Sequence, residues 1–486
     1  MTVVAEPRIA RGAGPAAAGG PGARVFRALE RALANGRGPL RERLIGALEL
    51  SLSLIDDLLS AQVNAILHHP QFQRLEASWR GARYLTDQLQ QKDNVKIRIL
   101  SVRWREICRD IERAIEFDQS SLFRLIYDQE FGIAGGEPYG MLLVDHEIQH
   151  SPGLDHNTDD VSALKGLAEV AAAAFAPCVL GCAPALLELD RFTGIGATTD
   201  FASFFTRPAY ARWRGLQDSE DARFLGLTLP HVLVRTPYDD VGRACDRFRF
   251  REDVSDPAGD GYLWGSAVYA FGGIAIRAFQ SYRWFADIRG ARRDSLSGGL
   301  VTDLPVHSFA TDAAGVAIKI STDVALTEVQ EIALSDAGLI PLMKCKDTDY
   351  TAFYSNQSLQ HYRSYESAAA RVNARLSSML QYVMCVSRFA HYVKVIGRDK
   401  VGSFAAPEDC RTYLQTWLNQ YVDASEGASE AQKAKYPLRA ARVQVVEVPG
   451  RPGNYMATVQ LQPHFQLDQL VSAFELVTEV SARRAA

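Results

Sequence analysis

The sequence predicts a mixed α/β protein with an N-terminal helical region, an α/β body and a C-terminal part that carries a β-hairpin. Three patterns support this. Apolar residues recur at helical spacing up to about residue 120, strand-like and helical runs alternate from about 121 to 400, and two alternating runs flank a Pro/Gly turn near 450. A chain of 486 residues can form two or three domains, and 47% hydrophobic with 23% charged residues is an ordinary globular composition.

Residues 1–24, rich in Ala, Gly and Pro, read as a flexible arm, with MTVVAEP as a weak strand candidate. The helical region, 25–120, has one stripe of Leu54, Ile55, Leu58, Leu59, Val63, Ile66 and Leu67, stopped by HHP at 68–70. A second stripe runs through Phe72, Leu75, Trp79, Ala82, Leu85 and Leu89. NVKIRILSV (94–102) alternates as a strand should.

In the body, 121–400, the strand candidates are YGMLLVD (139–145), FLGLTLPHVLVRTPY (224–238) and GVAIKIS (315–321). The clearest helix is 159–177, with Asp159 or Asp160 at its start and Pro177 near its end. Residues 339–360 read as strand and loop, and one long helix is expected over 366–396. The C-terminal domain, 401–486, contains RVQVVEV (442–448) and YMATVQL (455–461) around PGRPGN. Two strands alone are marginal in water, so Val443, Val445, Val448, Tyr455, Ala457, Val459 and Leu461 are expected to join a larger sheet.

Composition excludes some classes. With 53 basic and 57 acidic residues, net charge −4, the chain has no overall electrostatic footprint for nucleic acid or an anionic membrane. No apolar signal core follows Met1, so a cytoplasmic location is expected. The longest apolar stretch, near 376–396, is interrupted by Arg388 and Lys394 and reads as a buried helix rather than a membrane insertion. Seven scattered cysteines read as reduced core residues. Cys178 and Cys182 have no second pair to complete a metal site.

One motif points to chemistry. HEIQHSPGLDH (146–156) matches H-E-x-x-H-x-x-G-x-x-H, in which His146, His150 and His156 would bind zinc and Glu147 would act as general base. That chemistry needs His146 and His150 one turn apart on a rigid helix. The preceding GGEPYGMLLVD reads as glycine-rich loop and strand, and Pro152 biases Ser151 away from helix. A strand-to-helix connection with locally bonded histidines is therefore the expectation. GIGATT (194–199) lacks the third glycine of a dinucleotide loop, and SYRWFADIRGARR (281–293) fits a structural or protein-contact role better than nucleic-acid binding. No Walker A or G-x-S-x-G sequence occurs.

Several stretches together resemble a known family. They are IDDLLSAQVNAILHHPQFQRLEASWRGARYL (55–85), FGIAGGEPYGMLLVDHEIQHSP (131–152), WRGLQDSEDARFLGLTLPHVLVRTPY (213–238), LSDAGLIPL (334–342) and YVMCVSRFAHYVKVIGRDKVGSF (382–404). They resemble the large subunit of the bacterial type VI secretion contractile sheath, the TssC/VipB family, from about residue 54 to the C-terminus. The resemblance implies a phage tail-sheath-like fold, no catalytic residues and no cofactor. It implies as partners a small sheath subunit (TssB/VipA-like), an Hcp-type inner tube, further copies in a helical sheath, a baseplate, and a ClpV-type AAA+ ATPase acting mainly through the small subunit. It also implies stitching of protomers by intersubunit strands, to which the 442–461 hairpin corresponds. Residues 1–53 depart from the family pattern, so a diverged sheath paralogue stands as an alternative, as does a metzincin-like zinc protease.

Overall fold

The computed structural model describes residues 21–35, 39–89, 95–133, 135–153, 156–196, 199–239, 248, 250–255, 259, 261–291, 295–310, 317–346, 348–362, 366–399, 407–425, 427–447, 455–464 and 474–480. The chain clusters into two compact units, one drawn from Met1–Arg74 with Pro237–Tyr262, the other from Leu75–Thr236 with Leu263–Ala486. The expected arm at 1–24 lies outside the described residues except at its end, where Pro21 opens a helix.

The first unit contains α1 (Pro21–Asn35) and α2 (Leu40–Leu67). Leu dominates α2 and suits a helix. Its buried residues are Ala47 and Ser51, while Leu44, Ile45, Leu48, Leu52, Ile55, Leu59 and Ile66 are exposed. His68 caps α2, its ring 3.3 Å from Glu252, and Glu252 also accepts the Tyr238 backbone N–H at 2.9 Å. The Asp253 N–H donates to Asn64 at 3.2 Å, so Glu252 and Asp253 lie against the end of α2.

Next comes α3 (Pro70–Asp87), whose buried residues are Ala77, Gly81 and Leu85. Of the expected stripe, Phe72, Leu75 and Trp79 face outward, with Trp79 63% exposed. Small residues explain the reversal: a Cβ on Gly81 would lie 2.3 Å from the Tyr269 ring, so the helix approaches on its glycine face. Before α4 (Trp104–Arg113), residues 95–103 form no strand. Their charges are taken by side chains instead, Lys96 by Glu137 at 2.6 Å and Arg98 by Glu130.

The body sheet has six strands. In chain order the elements are β1 (Leu142–Ile148), α5 (Asp160–Ala174), β2 (Cys178–Cys182), β3 (Leu225–Leu229), β4 (Val232–Leu233), β5 (Trp264–Gly265), α6 (Val268–Tyr282), β6 (Leu300–Val301), β7 (His307–Ala310), β8 (Ala317–Ile320), α7 (Glu328–Asp336), β9 (Ile340–Lys344) and β10 (Thr351–Phe353). The order across the sheet is β1-β2-β3-β9-β10-β6, with β1, β2, β3 and β9 parallel and the last two strands antiparallel. The fold is therefore mixed helix and sheet. Alternation divides β2 between two cores: Cys178, Leu180 and Cys182 join Leu164 and Leu167 of α5, while Val179 joins Phe271 and Ile274 of α6. Asp159 caps α5 by accepting the Ser162 N–H at 3.3 Å, and the helix ends in a left-handed Phe175 at φ 49°. Cys108, Cys178, Cys182, Cys345, Cys385 and Cys410 are free and buried, and Cys245 lies outside the described residues.

The helix expected over 366–396 is two, α8 (Ala368–Ser377) and α9 (Leu380–Asp399). They break at Ser378 and Met379, where the Ser378 carbonyl accepts from Ser358 and Met379 bridges to Gln357. After α10 (Pro407–Asn419) and α11 (Glu430–Lys435) come β11 (Leu438–Glu447), β12 (Tyr455–Pro463) and β13 (Phe474–Val480). Among the described residues no helix is long and apolar enough to cross a membrane.

Candidate assembly surface

The C-terminal sheet has the order β11-β12-β13, all antiparallel. Tyr455, Ala457, Val459 and Leu461 alternate into the buried face of β12, and Val443 opposes Val459 from β11. Val443, Ala457, Val459 and Leu461 pack on Phe389 and Val393 of α9, Leu414 and Leu418 of α10, and Trp284 from the body. Val445 is half-buried against the same cluster, and Val448 lies outside the described residues. These side chains are thus spent on the chain's own core, and what the sheet offers outward is backbone. Central β12 has a neighbour on each side, so β11 and β13 are the edges. No sequence expectation included β13, although FELVTEV alternates in the manner of a strand.

The outer edge of β11 is half closed. Gln415 of α10 donates to the Ala441 carbonyl at 2.9 Å and accepts the Val443 N–H at 3.0 Å, imitating a paired strand at that point. Leu438 donates to the Tyr421 carbonyl and accepts from the Asp423 N–H. Since the Val443 N–H points outward, the alternation of antiparallel pairing turns the Val445 N–H outward too, while Gln444 faces Thr458 within the ladder. Among the described residues nothing closes the stretch beyond Gln415, around Val445, which is the open part of this edge.

The residues of the zinc signature lie on strand and loop, not on one helix. His146 and Glu147 are in β1, where the ladder to β2 slips between Val144 and Glu147. The ring of His146 tilts on Trp104 at 5.7 Å, and burial holds its pKa below the usual value. His150 stacks on Tyr210 at 4.0 Å. His156 meets Asp160 at 2.8 Å, and Asp160 also accepts Trp104 Nε1 at 2.7 Å and the Gln149 N–H at 3.1 Å. Each imidazole therefore has its own neighbour, and among the described residues no three His, Cys, Asp or Glu side chains are placed to share a metal. The helix that the motif's chemistry requires is absent because the glycine-rich approach and the apolar run make an edge strand.

Glu147 has a structural task. His231 sits between it and Asp323, with Nε2 2.8 Å from Glu147 and Nδ1 2.9 Å from Asp323. Burial opposes the imidazolium, but the two carboxylates outweigh it and raise the His231 pKa to about 10. Burial also raises Asp323, against the pull of His231. The three residues fasten β1 to the loops before β4 and after β8. Within SYRWFADIRGARR, Trp284 stacks on Phe389 at 4.1 Å and Arg289 donates to the Tyr354 carbonyl, while Arg283 is exposed and Arg292 and Arg293 lie outside the described residues.

Comparison with known proteins identifies the role of this architecture. Family models match residues 50–360 as the EvpB/VC_A0108 tail sheath N-terminal domain and residues 369–480 as its gpW/gp25-like domain. The type VI secretion system sheath protein TssC1 of Pseudomonas aeruginosa is 37% identical over 445 residues, covering 91% of this chain and 87% of that protein. The chain belongs to the type VI secretion tail-sheath family. It is a large sheath subunit, and the zinc signature falls inside the sheath match. The metalloprotease reading finds no support in these comparisons. A distant likeness to a chain of the anti-feeding prophage baseplate, solved by cryo-electron microscopy, has a TM-score of 0.35 and 10% identity over 78% of this chain and 82% of that one. It is too remote to argue from.

Proposed function

We propose that this sheath subunit pairs with a small TssB/VipA-like subunit in the cytoplasm and stacks with further copies, from a baseplate, as a helical tube around an Hcp-type inner tube. Contraction then drives the inner tube outward, and a ClpV-type AAA+ ATPase acts on the spent sheath mainly through the small subunit. In this reading the chain performs no catalysis of its own and works by interfaces.

The observation that carries the reading is the C-terminal sheet, whose β11 edge is closed by Gln415 at one end and open around Val445. An open edge accepts a strand from a neighbour with main-chain bonds, so two subunits stay joined while their packing changes. In the isolated chain β13 closes the other side of β12, and exchange of that strand between neighbours would produce the same ladder across two subunits. The apolar face of α2 supports the small-subunit contact, because Leu44, Leu48, Leu52, Ile55, Leu59 and Ile66 form one exposed stripe of the kind that a partner covers. We divide the chain functionally into body and C-terminal stitching domain. A proline at the open part of β11 tests the assignment: tubes should fail while the subunit stays folded, and tubes of normal abundance would refute it.

A further inference from the structure

α2 carries a seven-residue repeat on its exposed side. Ile45, Leu48, Leu52, Ile55, Leu59 and Ile66 follow one another at steps of 3, 4, 3, 4 and 7, and Gln62 fills the remaining place in the series. In heptad letters, Ile45, Leu52, Leu59 and Ile66 are at a, and Leu48, Ile55 and Gln62 are at d. Each of the six apolar residues is 40–61% exposed. The seam runs for about 32 Å at 1.5 Å per residue.

The packing that α2 makes within its own unit lies off this seam. Its buried residues, Ala47 and Ser51, are at c and g, and Asn64, which holds the Asp253 N–H, is at f. A helix that only buries a side in its own domain needs a broad apolar face of period 3.6, turned inward. Here a narrow stripe of period 3.5 is turned outward, over three heptads, which is the pattern of a coiled coil. One flank of the stripe is acidic. Glu42, Glu49 and Asp56 all fall at e, and among the described residues none of them forms an ion pair.

We propose that this seam is one half of a two-stranded coiled coil, and that the other half is a helix of the small sheath subunit. That helix carries its own 3-4 apolar repeat, with Lys or Arg along the flank that faces Glu42, Glu49 and Asp56. The inference rests on the reading that the chain pairs with a small sheath subunit, and adds the form and charge of the contact. A second copy of α2 does not fit the seam. In an antiparallel pair e meets e, so the acids would oppose one another. In a parallel pair e meets g, where Ser51 is buried and Leu58 half-buried in the chain itself. Opposite charge on a different helix satisfies the acidic flank in either direction.

Titration of the purified full chain with purified small sheath subunit tests this. Leu52→Glu puts a charge at the centre of the seam and should weaken binding about 30-fold or more. Leu50→Glu, at position f of the same turn, should leave binding unchanged. Glu42→Lys combined with Glu49→Lys sets like charges against the basic flank and should weaken binding about tenfold, with a larger effect at low salt. All four positions are exposed, so thermal unfolding of the chain alone should stay close to wild type. Equal binding by Leu52→Glu and wild type would overturn the coiled coil and leave the pairing of subunits standing. Equal weakening by Leu50→Glu and Leu52→Glu would also overturn it, because a general apolar contact predicts that result. Unchanged or tighter binding by the double lysine variant would refute the basic partner helix. A wild-type chain that does not bind the small subunit would refute the pairing itself. Should Leu52→Glu unfold, the double lysine variant decides.

Discussion

Replacing Val445 with proline removes one outward N–H from β11 and leaves the ladder to β12 intact, because that ladder uses Arg442, Gln444 and Val446 on the other parity. The folding cost is small, about 1 kcal/mol for partial loss of valine packing on a half-buried position. The assembly cost is larger. Each added strand loses one hydrogen bond, about 1 kcal/mol, and meets the pyrrolidine ring where a backbone should lie, for a total of about 2 kcal/mol. That raises the critical concentration for tubes about 30-fold. Gln444→Pro is the control, since it breaks the internal bond to Thr458 and should lower the melting temperature sharply. The assay is tube yield by pelleting and electron microscopy, alongside thermal unfolding of the unassembled protein. Val445→Pro should melt within a few degrees of wild type and form almost no tubes, whereas Gln444→Pro should unfold. Normal tubes from Val445→Pro would show that neighbours do not use this edge, and equal unfolding of both variants would refute the parity argument.

Three further outcomes are expected. Gln415→Leu removes two bonds to β11 and opens its covered half, so stability should fall by about 1–2 kcal/mol and self-association, read by light scattering, should rise. His231→Leu leaves Asp323 buried without its partner, at a cost of about 3 kcal/mol in chemical denaturation. Because the His231 pKa is raised, the stability it contributes is fully present below its unfolded value near 6.5 and declines as pH rises through about 10; wild type should lose that increment there and His231→Leu should not. His150→Ala should leave the metal content of purified protein equal to wild type by elemental analysis, because His150 stacks on Tyr210 apart from His146 and His156.

Much of this was legible where one local rule governs. Strand-like apolar runs located β1, β3 and β8, alternation located the hairpin of β11 and β12, and the Asp159 cap located α5. The strand under the zinc signature is legible too, since a glycine-rich approach and a following apolar run make β1 of residues that the motif alone would place on a helix. Other features depend on partners distant in sequence. Residues 95–103 alternate like a strand but their charges are bound by Glu130 and Glu137, so no ladder forms. The stripe through Phe72, Leu75 and Trp79 marks the helix but not its buried side, because Gly81 lets another face come closer to Tyr269. β2 is a five-residue apolar run with no polar face to give a period. The packing of α9 under the C-terminal sheet joins residues far apart in sequence, which no local pattern reveals. For the assembly surface, sequence located the two strands but not the edge, because Gln415 and β13 close particular sides only in three dimensions.

The most direct test of the account is electron microscopy of this chain co-expressed with its small sheath subunit. The account predicts hollow, ridged tubules built from both subunits. A folded pair of subunits that forms no tubules at any concentration would contradict it.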